Sequence, residues 1–301
     1  MEQALRRLQG TGPVLTVKAW AKVNLTLEVL GKREDGYHQV ASVMQTIDLW
    51  DELRFAPSDR LLLRCNVASL ETPDNLALRA ATLLREHTGF AQGAEIHLEK
   101  AIPLASGLGG GSSDAAAALK ALNRLWSLGL SPEELRVLAA DLGSDVPFFL
   151  RGGTAQVEGR GEEVCPLPPL SQVYFVLLVP PLEIPRKTAT LYGHMTPERY
   201  TDGSASLRLR RSIEEGKRLD GKLLFNAFQE VAFSLFPILE EHRQALLESG
   251  AEWVRLTGTG PALYTFAASR MAALDMAERL RSAGYEPYVA STVEPPKKMP
   301  P

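Results

Sequence analysis

Pro103-Leu104-Ala105-Ser106-Gly107-Leu108-Gly109-Gly110-Gly111-Ser112-Ser113-Asp114 runs straight into the alanine stretch Ala115 to Ala118. Leu119, Leu122 and Leu125 or Trp126 follow at helical spacing, so four glycines and two hydroxyls stand at the start of a predicted helix. Glycines allow close approach to the backbone, and the free amides of a first helical turn, with the helix dipole, favour phosphate. The segment therefore reads as a cradle for nucleotide phosphates. From the glycines alone, a flexible turn capped by Ser112 or Ser113 would read the same. Absences narrow the kind of phosphate fold. No Gly-Lys is followed by Ser or Thr: Gly31-Lys32-Arg33, Gly216-Lys217-Arg218 and Gly221-Lys222-Leu223 all fail, which excludes a Walker-type loop. Neither HRD nor DFG occurs, which excludes the protein-kinase plan. The dinucleotide fingerprint fails because Ser112 stands where its third glycine belongs.

Upstream of this loop, apolar and polar residues roughly alternate from Val14 to Leu30, as in two half-buried strands, with turns implied at Gly31 and Asp35-Gly36. Extended segments follow at Val40 to Phe55, Leu61 to Cys65 and Ala94 to Glu99. Between the last two, a helix is expected from Asp74, as its cap, to near Gly89. Downstream, Ser131-Pro132-Glu133-Glu134 sets a cap, a first-turn proline and a capping-box glutamate in register, predicting a helix from Pro132 to about Leu142. The prolines of Pro166 to Pro169 mark a boundary between domains 1–165 and 166–301. Beyond it come a strand at Val173 to Val179, helices near Leu223 to Ser249, two strands around Trp253 to Phe266, then a helix and a strand. The order is that of an α+β protein. Asp202 to Lys217 reads as an exposed loop and Glu294 to Pro301 as a disordered tail.

Composition excludes other classes. The chain has 301 residues, 45% of them apolar and 23% charged, with a net charge of -3, so it carries no basic field for nucleic acid or anionic lipid. The longest uncharged stretch, Val164 to Leu182, holds five prolines and leaves only Val173 to Val179 continuously apolar, a buried strand rather than a membrane span. Cys65 and Cys165 form neither a disulfide framework nor a zinc motif. The N-terminus lacks the apolar run of a signal peptide, so a cytoplasmic protein with a small-molecule ligand is expected, as a monomer or homodimer.

At the glycine loop the sequence resembles the small-molecule kinases of the galactokinase, homoserine kinase, mevalonate kinase and phosphomevalonate kinase (GHMP) superfamily. Leu256-Thr257-Gly258-Thr259-Gly260-Pro261-Ala262 is similar to that superfamily's third motif, a glycine turn near the nucleotide. Within it, Ala21-Lys22-Val23-Asn24-Leu25, Asp35-Gly36-Tyr37-His38 and Leu142-Gly143-Ser144-Asp145-Val146-Pro147 resemble the family of 4-diphosphocytidyl-2-C-methyl-D-erythritol kinases. The likeness spans roughly Val17 to Val293. It implies a two-domain fold, an N-terminal domain like ribosomal protein S5 domain 2 and a ferredoxin-like C-terminal domain. It also implies ATP and Mg2+ as cofactors and phosphorylation of the 2-hydroxyl of a cytidine diphosphate methylerythritol.

The same resemblance implies roles. Asp145 would be the catalytic base, Lys22 the charge at the transferring phosphate and Asn24 a polar contact to the substrate. Tyr37 and His38 would meet the cytosine, one by stacking and one by hydrogen bonding. Pro103, Ser106, Gly107, Leu108, Gly109, Gly110, Gly111, Ser112, Ser113 and Gly258 would hold ATP. A second aromatic of the family lies four residues after a threonine, a spacing that Thr188 and Tyr192 fit. The pattern departs there, because two extra residues stand between Pro185 and Thr188.

These residue types suit the chemistry. Phosphoryl transfer needs positioning, charge neutralisation and a carboxylate to take the hydroxyl proton, which Asp145 and Lys22 supply, although Asp145 also suits a cap on the helix entered at Val146. A cytosine needs a flat π surface and edge donors and acceptors, which adjacent Tyr37 and His38 offer. Ser112 or Ser113 could meet Mg2+, a cation that prefers oxygen. His87, His97, His194 and His242 lack ligand spacing, and Trp20, Trp50, Trp126 and Trp253 read as core. Competing readings are another kinase of this superfamily, such as a homoserine or mevalonate kinase, and a non-catalytic metabolite sensor.

Overall fold

The computed structural model describes residues 14–182 and 187–294; the N-terminal thirteen residues and all of the expected tail but Glu294 lie outside them. Among the described residues the strands are β1 (Leu15–Lys32), β2 (His38–Ser58), β3 (Leu62–Cys65), β4 (Gly93–Glu99), β5 (Thr154–Glu158), β6 (Glu163–Pro166), β7 (Tyr174–Leu178), β8 (Phe225–Asn226), β9 (Arg255–Leu256), β10 (Leu263–Ala267) and β11 (Tyr288–Ser291). The helices are α1 (Leu76–Thr88), α2 (Gly110–Leu125), α3 (Pro132–Leu142), α4 (Val146–Arg151), α5 (Lys187–Gly193), α6 (Ser204–Glu214), α7 (Gln229–Leu235), α8 (Ile238–Glu248) and α9 (Arg270–Ser282). None is long and apolar enough to cross a membrane.

The chain divides into two compact units that do not follow its order. Among the described residues, one holds 14–20, 49–102 and 110–150; the other holds 21–48, 103–109, 151–182 and 187–294. The long strands β1 and β2 each run through both.

In the first unit, β4 pairs antiparallel with the second half of β2 and parallel with β3. Helices α1, α2 and α3 pack on one another. The alanine run of α2 (Ala115 to Ala118) is buried there with Leu119 and Leu122, small side chains letting backbones approach closely. The expected cap of α1 is corrected by one residue: Asn75, not Asp74, accepts from the Ala77 amide, and Gly89 closes the helix at φ 69°. The capping box of α3 forms between Ser131 and Glu134, as its spacing predicts.

In the second unit, the first half of β2 pairs with β5, and β5 with β6. Strand β1 pairs parallel with β8. A separate antiparallel sheet has the order β11-β7-β10-β9, with α8 and α9 against it. Its core gathers Val176, Leu178, Phe228, Leu246, Leu263 and Leu280, each such burial contributing about 1.5–3 kcal/mol.

Two expectations are overturned. Val14 to Leu30 is one strand rather than two, and from Ala21 to Val29 both of its faces are buried. Val23, Leu25, Leu27 and Val29 form an apolar face, while Lys22, Asn24, Thr26 and Glu28 form a buried polar one. Asp202 to Lys217 is largely the helix α6 rather than a loop. Ala205, Ser206, Leu209 and Ile213 are buried along one side, and the charged residues that made the segment look like a loop take the other. Buried Glu28 accepts from the amides of Ser206 (2.7 Å) and Ala205 (3.4 Å), a carboxylate on a helix N-terminus. The Ser206 hydroxyl also lies 2.9 Å from Thr26 Oγ1 and 3.1 Å from the Ala41 carbonyl, with its one proton directed at either. The polar face of β1 therefore has partners, which is why it can be buried.

Candidate active site

The second unit brings several of the singled-out residues together. Lys22 and Asn24, two apart on β1, point to one face, as strand geometry requires. Lys22 is 2% exposed and its ammonium donates to Asn24 Oδ1. Asn24 in turn donates through Nδ2 to Ser42 Oγ at 2.9 Å, fixing which way its amide points. Two links from the backbone of this pair reach the two glycine-bearing segments, and a third joins those segments to each other. The Lys22 amide donates to the Leu108 carbonyl (3.0 Å), the Asn24 amide to Thr257 Oγ1 (3.0 Å), and the Ala262 amide to the Ser106 carbonyl (2.9 Å). Tyr264, fully buried, closes the cluster by donating to the Asn24 carbonyl at 2.9 Å.

Glycine is required at Gly107. Its φ is +88°, and a Cβ there would overlap the Thr257 carbonyl oxygen. The loop and the glycine turn thus meet backbone to backbone. Gly258, at φ +56°, lies where an added Cβ would stand 3.1 Å from the Gly107 oxygen and 3.5 Å from Lys22 Nζ. Ser106 is buried and donates to the Pro103 carbonyl at 2.7 Å. Asn226 holds the far side of the turn, donating to the carbonyls of Leu256 and Gly258 at 2.8 and 2.9 Å.

A second group gathers around His38. Its ring lies 4.9 Å from that of Tyr192 at an interplanar angle of 32°, and Tyr192 meets Phe228 edge-on at 4.7 Å. Burial, with the charge of Lys32 second, holds the His38 imidazole below its usual pKa, which favours the neutral form that can both donate and accept. Tyr37 is 50% exposed, with the Arg160 guanidinium 5.0 Å from its ring centre. Its amide donates to the Asp35 carboxylate at 3.0 Å, which fixes the turn before it.

The first unit carries the rest. Gly110, Gly111, Ser112 and Ser113 supply the first turn of the sixteen-residue α2, Ser113 being buried. Asp145 is half-buried immediately before α4, in a turn closed by the Val146 amide on the Gly143 carbonyl (3.1 Å). The other end of α4 is held by Lys120, which donates to the carbonyls of Phe149 (3.0 Å) and Leu150 (3.3 Å).

Sequence reasoning missed two charged groups. Lys100 donates to Asp51 and, at 2.8 Å, to Asp114, all three being buried. Asp51 also takes the amides of Ala101 (2.6 Å) and Ile102 (2.8 Å). The residues just before the glycine loop and the helix just after it are thereby held in one unit. Burial, against the attraction of Lys100, raises the Asp114 carboxyl to about 7. The second missed group is Lys187, whose ammonium donates to the carbonyls of Ala105 and Gly260. Lys100 stands beside the motif and could have been suspected from that position; Lys187, among the two extra residues before Thr188, carries no sequence signal.

The scattered histidines have local roles: His97 meets Glu95 at 3.0 Å, and His194 and His242 bond helix carbonyls at 2.9 Å. Trp126 is buried, while Trp20, Trp50 and Trp253 are half-buried rather than core, Trp20 and Trp50 meeting edge-on at 5.0 Å with Lys18 over both rings.

Residues 75–153 match the GHMP kinases N terminal domain and residues 206–286 the GHMP kinases C terminal domain. A protein of Dehalococcoides mccartyi named 4-diphosphocytidyl-2-C-methyl-D-erythritol kinase is 46% identical over 283 residues, 94% of this chain and 99% of the relative. Among solved structures, a 4-(cytidine 5'-diphospho)-2C-methyl-D-erythritol kinase matches with a TM-score of 0.79 at 36% identity, over 92% of this chain and 99% of the other. Homoserine kinase from Cytophaga hutchinsonii shares the fold, with a TM-score of 0.70 at 18% identity over 95% and 96% of the two chains.

Proposed function

The chain belongs to the 4-diphosphocytidyl-2-C-methyl-D-erythritol kinase family of the GHMP kinases, and from that premise we propose how it acts. It transfers the γ-phosphoryl group of ATP to the 2-hydroxyl of 4-diphosphocytidyl-2-C-methyl-D-erythritol, in the non-mevalonate route to isoprenoid precursors. The observation that carries this reading is the buried Lys22–Asn24 pair, bonded through its backbone to both the glycine loop and the glycine turn.

In this account Asp145 accepts the proton of the 2-hydroxyl as its oxygen bonds to the γ-phosphorus, and the bond from that phosphorus to the bridging oxygen of ADP breaks. Lys22 offsets charge on the transferring group, and Asn24 orients the substrate. Tyr37, His38 and Tyr192 hold the cytosine by stacking and edge hydrogen bonds. The segment from Pro103 to Ser113, with Gly258, holds the nucleotide. Glycines at 107, 109, 110 and 111 leave the backbone open to phosphate, and the start of α2 offers free amides.

Mg2+ fits the donor chemistry. Among the described residues no group of three His, Cys, Asp or Glu side chains could hold a metal ion. The cation would rest chiefly on phosphate oxygens, with Ser112 or Ser113 adding a hydroxyl, and it would neutralise charge on the triphosphate. We also assign the domains as 1–165 and 166–301; the two family matches fall on either side of residue 166, which supports that division. The protein is taken to work in the cytoplasm, as a monomer or homodimer.

The test is ADP release from Mg-ATP in the presence of the cytidine compound, homoserine or mevalonate, in parallel. Turnover with the cytidine compound alone is expected. Turnover with homoserine or mevalonate in its place would overturn the assignment.

A further inference from the structure

Lys187 combines four observations that no motif explains. Its side chain crosses to the carbonyl oxygens of Ala105, in the glycine loop, and Gly260, in the glycine turn. Those two segments are also joined directly, through the Ala262 amide and Ser106 carbonyl, so the lysine is not needed merely to bring them together. Ala105 is one of two non-glycine residues with positive φ among the described residues, at 50°, a conformation disfavoured for an L side chain; the carbonyl that Lys187 takes belongs to this strained residue. Finally, Lys22 acts on Lys187 as a like charge.

A partly buried ammonium repelled by a second lysine and held on two carbonyl oxygens is a poor arrangement for stability alone. It becomes favourable when a polyanion arrives. Burial first and Lys22 second push its pKa down to about 8, and a phosphate beside it would draw the pKa back up and keep the proton on.

We propose that Lys187 is a phosphate-binding residue of the nucleotide site, supplying with Lys22 a second positive charge to the terminal phosphates of ATP. This rests on the glycine loop being the nucleotide site. Lys22 is placed at the transferring group; Lys187, on the carbonyls of the loop and the turn, serves the phosphates that the loop carries. Its ammonium exchanges carbonyl partners for phosphate oxygens, a charge-assisted and therefore stronger bond.

Calorimetric titration with a non-hydrolysable ATP analogue and with AMP tests this. Binding of both to the unmodified protein establishes the nucleotide site independently; failure to bind either would sink the loop reading itself. Lys187→Ala is expected to weaken the analogue by about tenfold or more, the factor for one charge-assisted bond. AMP, which lacks the terminal phosphates, should change less than about twofold on the same reasoning. Unchanged binding of the analogue, or equal losses for analogue and AMP, would overturn the proposal, equal losses meaning that Lys187 only braces the loop. Lys187→Arg keeps the charge and covers the case in which the alanine variant does not fold. In the unmodified protein the affinity for the analogue should fall as pH rises through about 8 and beyond; in Lys187→Arg that decline should vanish, because the guanidinium stays charged. Parallel pH profiles for the two proteins would likewise reject it.

Discussion

Asp145 differs from asparagine by one charge and one proton-accepting site, so Asp145→Asn separates its chemistry from its shape. The change is expected to lower kcat by about 100- to 10,000-fold, the range for a positioned base, with ADP binding kept. Steady-state turnover and nucleotide titration check this; near-normal turnover would remove Asp145 from the reaction. Tyr37→Ala is expected to raise KM for the cytidine substrate far more than KM for ATP, measured in one kinetic series. Equal rises would argue against a cytosine role. Lys22, Asn24, Tyr37 and His38 could be singled out in the sequence because each sits in a motif whose neighbours restrict its meaning. On strand alternation alone Lys22 is an ordinary exposed residue, yet the fold buries it. Lys187 was not legible, because its significance comes from two carbonyls 82 and 73 residues away in the chain.

At the level of elements, one buried cluster holds the segment before the loop to the helix after it. Two carboxylates, Asp51 and Asp114, share the single ammonium of Lys100, and Asp114 Oδ1 is buried without a partner. One negative charge is therefore in excess. Since the folded pKa of Asp114 is about 7, above the unfolded value of about 3.9, the protonated form is favoured by folding. The stability tied to this group is complete below the unfolded value and is lost as pH rises towards 7. Asp114→Asn cannot ionise, so its Tm relative to the unmodified protein should climb by several degrees between pH 5 and pH 8, at about 2–4 °C per kcal/mol for a chain of this order of size. A difference in Tm that is flat with pH would contradict the assignment. Element boundaries set by local chemistry, such as the Ser131 capping box and Gly89, were readable. The helix α6 was not, because its four buried residues look sparse beside its many arginines until the carboxylate of Glu28 is seen at its N-terminus. The continuity of β1 was hidden for a related reason: its polar face is buried by partners distant in sequence.

Across the whole molecule, the α+β order and the superfamily were readable from the glycine loop and the motifs around it. The two compact units were not, because each is assembled from segments far apart in the chain, with β1 and β2 passing through both. Composition constrains such long-range pairing very little. What the molecule as a whole does comes down to the position of one new ester bond. In 4-diphosphocytidyl-2-C-methyl-D-erythritol the 2-hydroxyl stands on a carbon that also bears the methyl group and therefore has no hydrogen of its own. The most direct measurement is the proton-coupled phosphorus NMR spectrum of the product made with Mg-ATP. The account predicts one new phosphomonoester signal without three-bond coupling to a carbinol hydrogen, with both diphosphate resonances retained. A new signal split by such a hydrogen, or loss of the diphosphate resonances, would place the chemistry elsewhere and contradict it.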